Sequence, residues 1–214
     1  MTNGTPNVTA QAPKRKIGLL GCLGVVIVLL VVAALAGVGT YNTLNKLDQG
    51  VKAQWAQVEN QYQRRVDLVP NLVETVKGAA NFEKDTYTAV TEARAKVGQV
   101  KIDANSLNNA EAFAKFQQAQ DQLGSAISRL LVAVEAYPDL KATQNFRDLQ
   151  TQLESTENRI AQERRRFNEE AQAFNTKRMS FPTVLIAGLF GSRFTEKAYF
   201  KALAGAETAP KVKF

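Results

Sequence analysis

Histidine is absent from this chain, and cysteine and tryptophan occur once each, as Cys22 and Trp55. Without an imidazole, a Ser-His-Asp or Cys-His nucleophile has no base, and a zinc site built on His and Cys has no ligands. A single cysteine forbids an internal disulfide, so cysteine usage does not report a compartment. P-loop, dinucleotide and metalloprotease motifs are missing. Beyond residue 40 there are no alternating β-branched runs, no Asn-Gly or Asp-Gly hairpin turns and no internal repeat. The remaining route to catalysis is carboxylate chemistry alone, through paired acids or an oxygen-ligated cation. No cofactor is expected.

Acidic residues are missing from the first 47 positions, and Lys14, Arg15 and Lys16 stand among them. The formal charge of +7 is therefore partly local: setting these three aside leaves 24 basic against 20 acidic residues, about +4. The signs are interleaved, as on a solvated helical surface, which argues against a nucleic-acid partner.

The basic trio is followed by one long uncharged run, Ile17 to Gly39, reading IGLLGCLGVVIVLLVVAALAGVG. As a helix it spans roughly 34 Å against about 30 Å of bilayer hydrocarbon. A cleaved signal peptide fits less well, because the run exceeds a usual h-region and no small-x-small site closes it before Tyr41. Lipid attachment at Cys22 is a second alternative, since Leu19-Leu20-Gly21-Cys22 loosely resembles a lipobox, but the apolar run continues well past it. A retained transmembrane helix is the preferred reading. The positive-inside rule then puts the N-terminus in the cytoplasm and the bulk of the chain outside it.

Past Thr40, apolar residues recur at spacings of three and four: Leu44, Leu47, Val51, Trp55, Val58, Tyr62, Val66, Val69, Val73 and Val76. This is a helical stripe, and nothing near Thr40 separates it from the membrane run. Pro70 predicts a kink or short break near Val66 to Val69, because proline lacks the N–H that the carbonyl four residues earlier needs. A second stripe runs from Phe82 to Val97, with residues 98 to 108 as a connection. A third carries Phe113, Phe116, Leu123, Ile127, Leu130 and Val134, and stops at Tyr137-Pro138. The fourth carries Phe146, Leu149, Leu153, Thr156, Ile160, Phe167, Ala171 and Phe174, and ends at Ser180-Phe181-Pro182. The fold class is therefore all-α: an N-terminal transmembrane helix followed by an antiparallel four-helix bundle with long helices. The expected divisions are a flexible basic tail (1–16), the membrane helix (17–39), the bundle (40–191) and a partly disordered C-terminal segment (192–214). Within them, the compact apolar run Thr183 to Phe190 reads as a plug for one end of the bundle, with membrane-surface contact as the alternative.

Projected at 100° per residue, Val58, Tyr62, Val66, Val69, Val73 and Val76 share one helix face, while Arg64, Asp67, Asn71 and Glu74 form a stripe opposite. That stripe is either a plain solvated face or a surface for a partner helix or second subunit; Asp67, Asn71 and Glu74 are the candidate partner-binding residues. Arg65 falls beside the apolar face and Glu157 flanks the seam of the fourth helix. The two are expected to pair across the interface and set register, as seam-flanking charges do in coiled coils. The aromatic residues at helical spacing read as core.

Five segments carry a resemblance: QRRVDLVPNLVETVKG at 63–78, TEARAKV at 91–97, AYPDLKA at 136–142, TENRIA at 156–161 and FPTVLIAGLFG at 181–191. In these the chain resembles the LemA family of bacterial membrane proteins over about residues 39 to 203. The resemblance implies a four-helix bundle behind an N-terminal anchor and brings no catalytic residue to carry over. At Lys201, in YFKA, the family pattern has an acid. Taken together, the expectation is a non-enzymatic, membrane-anchored scaffold or interaction module of the bacterial cell envelope, held in the inner membrane through residues 17–39. Its expected partner is another protein or a second copy of itself. The alternative function is a carboxylate-dependent envelope hydrolase, which requires acids such as Asp67, Glu74, Glu92 or Glu157 to converge on a pocket.

Overall fold

A computed structural model describes residues 15–79 and 82–202 of the chain, with side chains from Leu23 onward. The expectations for residues 1–14 of the tail, for the lipidation of Cys22 and for residues 203–214 of the C-terminal segment lie outside the described residues, while Arg15 and Lys16 begin the first helix. The elements are α1 (Arg15–Lys77), α2 (Lys84–Gln99), α3 (Ala110–Val134), the single turn α4 (Pro138–Lys141), α5 (Gln144–Met179), α6 (Thr183–Leu189) and a 3-10 turn, Gly191–Phe194. No strand occurs among the described residues, so the all-α reading holds. The chain divides into two compact units, one ending at Thr43 and one beginning at Leu44.

In the first unit the large apolar side chains of α1 from Leu23 to Val38 are all exposed. Such a surface is costly in water and natural in hydrocarbon. This part of α1 is long and apolar enough to cross a membrane.

The second unit is built on four long stretches of helix whose directions follow from their contacts. Arg94 of α2 reaches Val66 of α1, and Lys77 of α1 lies over the Tyr87 ring of α2, so these two run antiparallel. Trp55 packs on Phe113 and Phe116 while Arg65 bonds Gln120, so α3 runs parallel to α1. Gln54 bonds Glu163 and Arg65 bonds Glu157, so α5 runs antiparallel to α1. Seven buried positions of α5, Phe146, Leu153, Thr156, Ile160, Phe167, Ala171 and Phe174, lie on the stripe expected from spacing, and Asn175 is buried beside them. Two helix starts are capped by side chains: Asn109 accepts from the Ala112 amide and Thr143 from the Phe146 amide, each satisfying a donor the first turn leaves open.

Three features depart from expectation. The first is Pro70: of the kink or short break expected near it, the break does not occur, and α1 is helical on both sides of the proline. The carbonyl deprived of its donor is that of Val66, and the Arg94 guanidinium Nε donates to it at 3.2 Å. A side chain from α2 thus replaces the missing backbone bond, so the helix runs on. The second is α6, which buries Thr183 and Ala187 but leaves Val184, Leu185 and Leu189 exposed; as a plug it uses only one face.

The third departure is residues 195–202, expected to lie outside the bundle but in fact packed against it as an extended strap. The Asn175 side chain donates to the Lys197 carbonyl and accepts from the Lys197 amide, both at 2.9 Å. Asn168 does the same for Phe200, also at 2.9 Å. Seven residues of helix rise about 10.5 Å, and three residues of extended chain cover about 10 Å, so two asparagines one heptad apart match strap residues three apart. Gln117 of α3 pairs likewise with the backbone of Lys201. The Phe200 ring, held by these amides, is buried in the core.

Arg94→Ala is expected to cost about 1.5–3 kcal/mol, the worth of a hydrogen bond from a charged donor. In a Pro70→Ala background, where residue 70 supplies its own N–H, the same change should cost clearly less. Urea unfolding of the detergent-solubilised chain, followed by emission of the sole tryptophan, gives the four values of this cycle.

Candidate functional site

The polar stripe of α1 lies on the surface. Asp67, Asn71 and Glu74 are all exposed, on the side of the helix away from buried Val58, Tyr62, Val69 and Val76. Their described bonds stay within α1: Gln63 donates to Asp67 at 2.7 Å, Lys77 to Glu74 at 2.9 Å, and Thr75 to the backbone carbonyl of Asn71 at 2.8 Å. Glu74 also stands at the rim of an open cleft of about 740 Å³, formed with Gly78, Tyr137, Asp139 and Asn145. Asp67 and Asn71 do not line that cleft, so the three side chains do not converge on it.

Arg65 is placed differently. Its side chain is only 3% exposed, and Nη1 lies 3.0 and 3.3 Å from the two carboxylate oxygens of Glu157, itself 44% exposed. Nη2 donates to both the backbone and the side-chain oxygen of buried Gln120, at 2.8 and 2.6 Å. One guanidinium thus joins α1, α3 and α5. Gly124 makes room for it, since a Cβ there would meet Nη1 at 3.2 Å. The guanidinium also lies 5.1 Å from the Tyr62 ring centre. Burial pushes the Tyr62 phenol up to about 12, against the opposing pull of the Arg164 and Arg65 charges.

Open clefts adjoin three of the four acids that a hydrolase would recruit. Glu157 lines one of about 700 Å³ between α3 and α5, with Asp121, Glu154 and Arg164. Glu92 lines one of about 790 Å³ along α2 and α3, with Arg129 and Lys201. Glu74 rims the third. In the α3–α5 cleft two of the three acids are paired with arginines, Glu157 with Arg65 and Asp121 with Arg164 at 3.4 Å, and Glu154 accepts from Gln150 at 3.0 Å. Among the described residues, no three of His, Cys, Asp and Glu gather closely enough to hold a metal ion.

Some interacting residues escaped the reading of the sequence. Asp48 is buried and meets Lys197 of the strap at 2.6 Å and Lys52 at 3.2 Å. A signal for it was present: Leu44, Asp48, Val51 and Trp55 continue the seam at spacings of four, three and four, which puts an acid at a core position. Arg164, like Glu157, flanks the seam of the fourth helix in the sequence, but its contacts with the strap, 4.7 Å to the Phe200 ring centre and a bond to the Lys201 carbonyl, had no comparable signal.

An all-α unit whose chain also carries a helix able to cross a bilayer fits a single-pass membrane protein. The chain belongs to the LemA family, whose sequence model matches residues 54–214. It is similar to Protein LemA of Metamycoplasma hominis, 27% identical over 124 residues, or 58% of this chain and 52% of that protein. It is also similar to Magnetosome protein MamQ 2 of Paramagnetospirillum magneticum, 26% identical over 178 residues, or 76% of this chain and 65% of that protein. Magnetosome protein MamQ of Magnetospirillum gryphiswaldense is 24% identical over 176 residues, or 75% of this chain and 64% of that one. The chain thus spans between about half and two-thirds of the length of these relatives.

Removing Glu157 should cost more than removing Arg65. Glu157→Ala leaves a buried guanidinium with only Gln120 as partner, and about 2–3 kcal/mol is expected, below the usual range because Glu157 is half solvated. Arg65→Met keeps the volume, removes the buried charge and lets Glu157 hydrate, so a smaller loss is expected. Urea unfolding of both variants checks the order.

Proposed function

We propose that this protein is a non-enzymatic docking module held at the bacterial inner membrane, with its helical unit outside the cytoplasm and the Asp67, Asn71 and Glu74 surface as its docking face. The observation that carries the reading is that all three side chains are exposed while the packing of α1 uses the opposite side. Selection for folding alone does not call on them. The membrane part rests on the apolar stretch of α1, and the orientation on Lys14, Arg15 and Lys16 standing before it. The non-enzymatic part draws support from the absence of histidine and from the pairing of Asp121 and Glu157 with arginines. The pair Arg65–Glu157 acts structurally in this reading, fixing the register of α1 against α5. The partner is a protein that presents complementary donors, or a second copy of the chain.

The combined variant Asp67→Ala, Asn71→Ala, Glu74→Ala tests this in intact membranes. Surface changes of this kind alter stability by about 0.5 kcal/mol or less each, so the unfolding midpoint should hardly move. The main crosslinked species seen with the unaltered protein should disappear. Unchanged crosslinking would leave the stripe as a plain solvated face.

A further inference from the structure

The end of the helical unit formed by α6 and its flanks presents an apolar surface that the core does not use. Phe181 and Leu189 are 82% and 80% exposed, and Met179, Leu185, Phe190 and Val184 are also exposed. Six large apolar side chains within twelve residues exceed the scattered apolar exposure of an ordinary surface. They are not the remains of an unformed core, because the inner face of α6 is packed through Thr183 and Ala187.

The segment that carries this surface has charges of one sign, and the nearby acid Asp48 is buried and paired with Lys197 and Lys52. From Ala171 to Thr195 the chain contains no Asp or Glu, while Lys177, Arg178 and Arg193 all fall within that stretch. Arg178 Nε donates to the Phe194 carbonyl, which ties the end of α5 to the turn that follows α6. Arg193 in turn donates to the Asn45 side chain at 3.2 Å. Asn45 is only six residues along the chain from Gly39, the last residue of the uncharged run. Even fully extended, six residues reach about 20 Å. With residues 17–39 in a bilayer, the segment that carries the apolar surface bonds a residue no more than about 20 Å of chain from the end of the spanning run.

We propose that α6 and its flanks enter the membrane interface, with Phe181, Leu185 and Leu189 at the boundary between headgroups and acyl chains and Lys177 directed to anionic headgroups. An apolar face bordered by cations without acids is the composition of an interfacial amphipathic element. A second copy of the chain would bring the same cations against these, which disfavours self-association through this face. The inference rests on the membrane anchor and is independent of the docking stripe on α1.

The test uses the full chain in vesicles of phosphatidylglycerol and phosphatidylcholine. In a Cys22→Ser background, Leu185→Cys carries an environment-sensitive fluorophore; Leu189→Cys serves as a second probe and Asp148→Cys, exposed near the start of α5, as the control. A blue-shifted emission at 185 and 189 is expected, with most of it lost when the lipids carry a spin label high on the acyl chain, and neither effect at 148. The Asp67, Asn71, Glu74 variant should behave identically, which separates this result from the fate of the docking reading. Emission at 185 and 189 like that of a fully hydrated dye would overturn the proposal. Blue-shifted emission insensitive to the lipid spin label would overturn it too, and would assign the face to a protein.

Discussion

The helical unit depends on one aromatic contact set centred on Trp55. Its ring lies 5.8 and 5.3 Å from Phe113 and Phe116 of α3, 5.6 Å from Phe167 of α5 and 6.1 Å from Phe200 of the strap. Rings of this size each bury much apolar area, and tilted or edge-on pairs at these distances add a little more. Because the five rings come from four segments, the cluster closes only when α1, α3, α5 and the strap are all in place. The strap is thus part of the core, although its backbone is extended and unpaired with any strand. Asn168, Asn175 and Gln117 meet the cost of burying that backbone by offering amide groups where a neighbouring strand would offer peptide groups.

Polar groups at the seam do a second job. The Arg65 guanidinium takes Glu157 from α5 and Gln120 from α3, and Asp48 takes Lys197 from the strap. Apolar side chains tolerate small slips along a helix, whereas a buried charge tolerates only the register that satisfies it. The Arg94 bond to Val66 belongs to the same group, since it fixes α2 to the one carbonyl on α1 that Pro70 leaves without a partner. These contacts choose the arrangement among the many that apolar stripes alone would allow.

The all-α class, the course of the apolar seams and the exposure of Asp67, Asn71 and Glu74 were legible because helical periodicity reports which side of a helix is wet. The expectation that Arg65 and Glu157 face one another came from the same projection. Three features were not legible, each for a physical reason. Pro70 carries a strong local signal for a break, and the signal was countered by Arg94, a residue 24 positions away. The strap has no periodic pattern because most of its contacts are made by backbone atoms, with the Phe200 ring and the Lys197 ammonium beside them. The run 183–190 is apolar on every side, so its composition could not say that only Thr183 and Ala187 would face inward. Asp48 was readable in principle, as an acid at a seam position, although its neighbour Leu47 also continues the spacing from Leu44 and is apolar.

Phe200 is the residue that completes the core around Trp55. Phe200→Ala, in the detergent-solubilised full chain, should shift the Trp55 emission to the red, open it to acrylamide quenching and lower the unfolding free energy by about 3–5 kcal/mol. Emission, quenching and unfolding midpoint all unchanged would contradict it, and would mean that the strap lies on a core already closed without it.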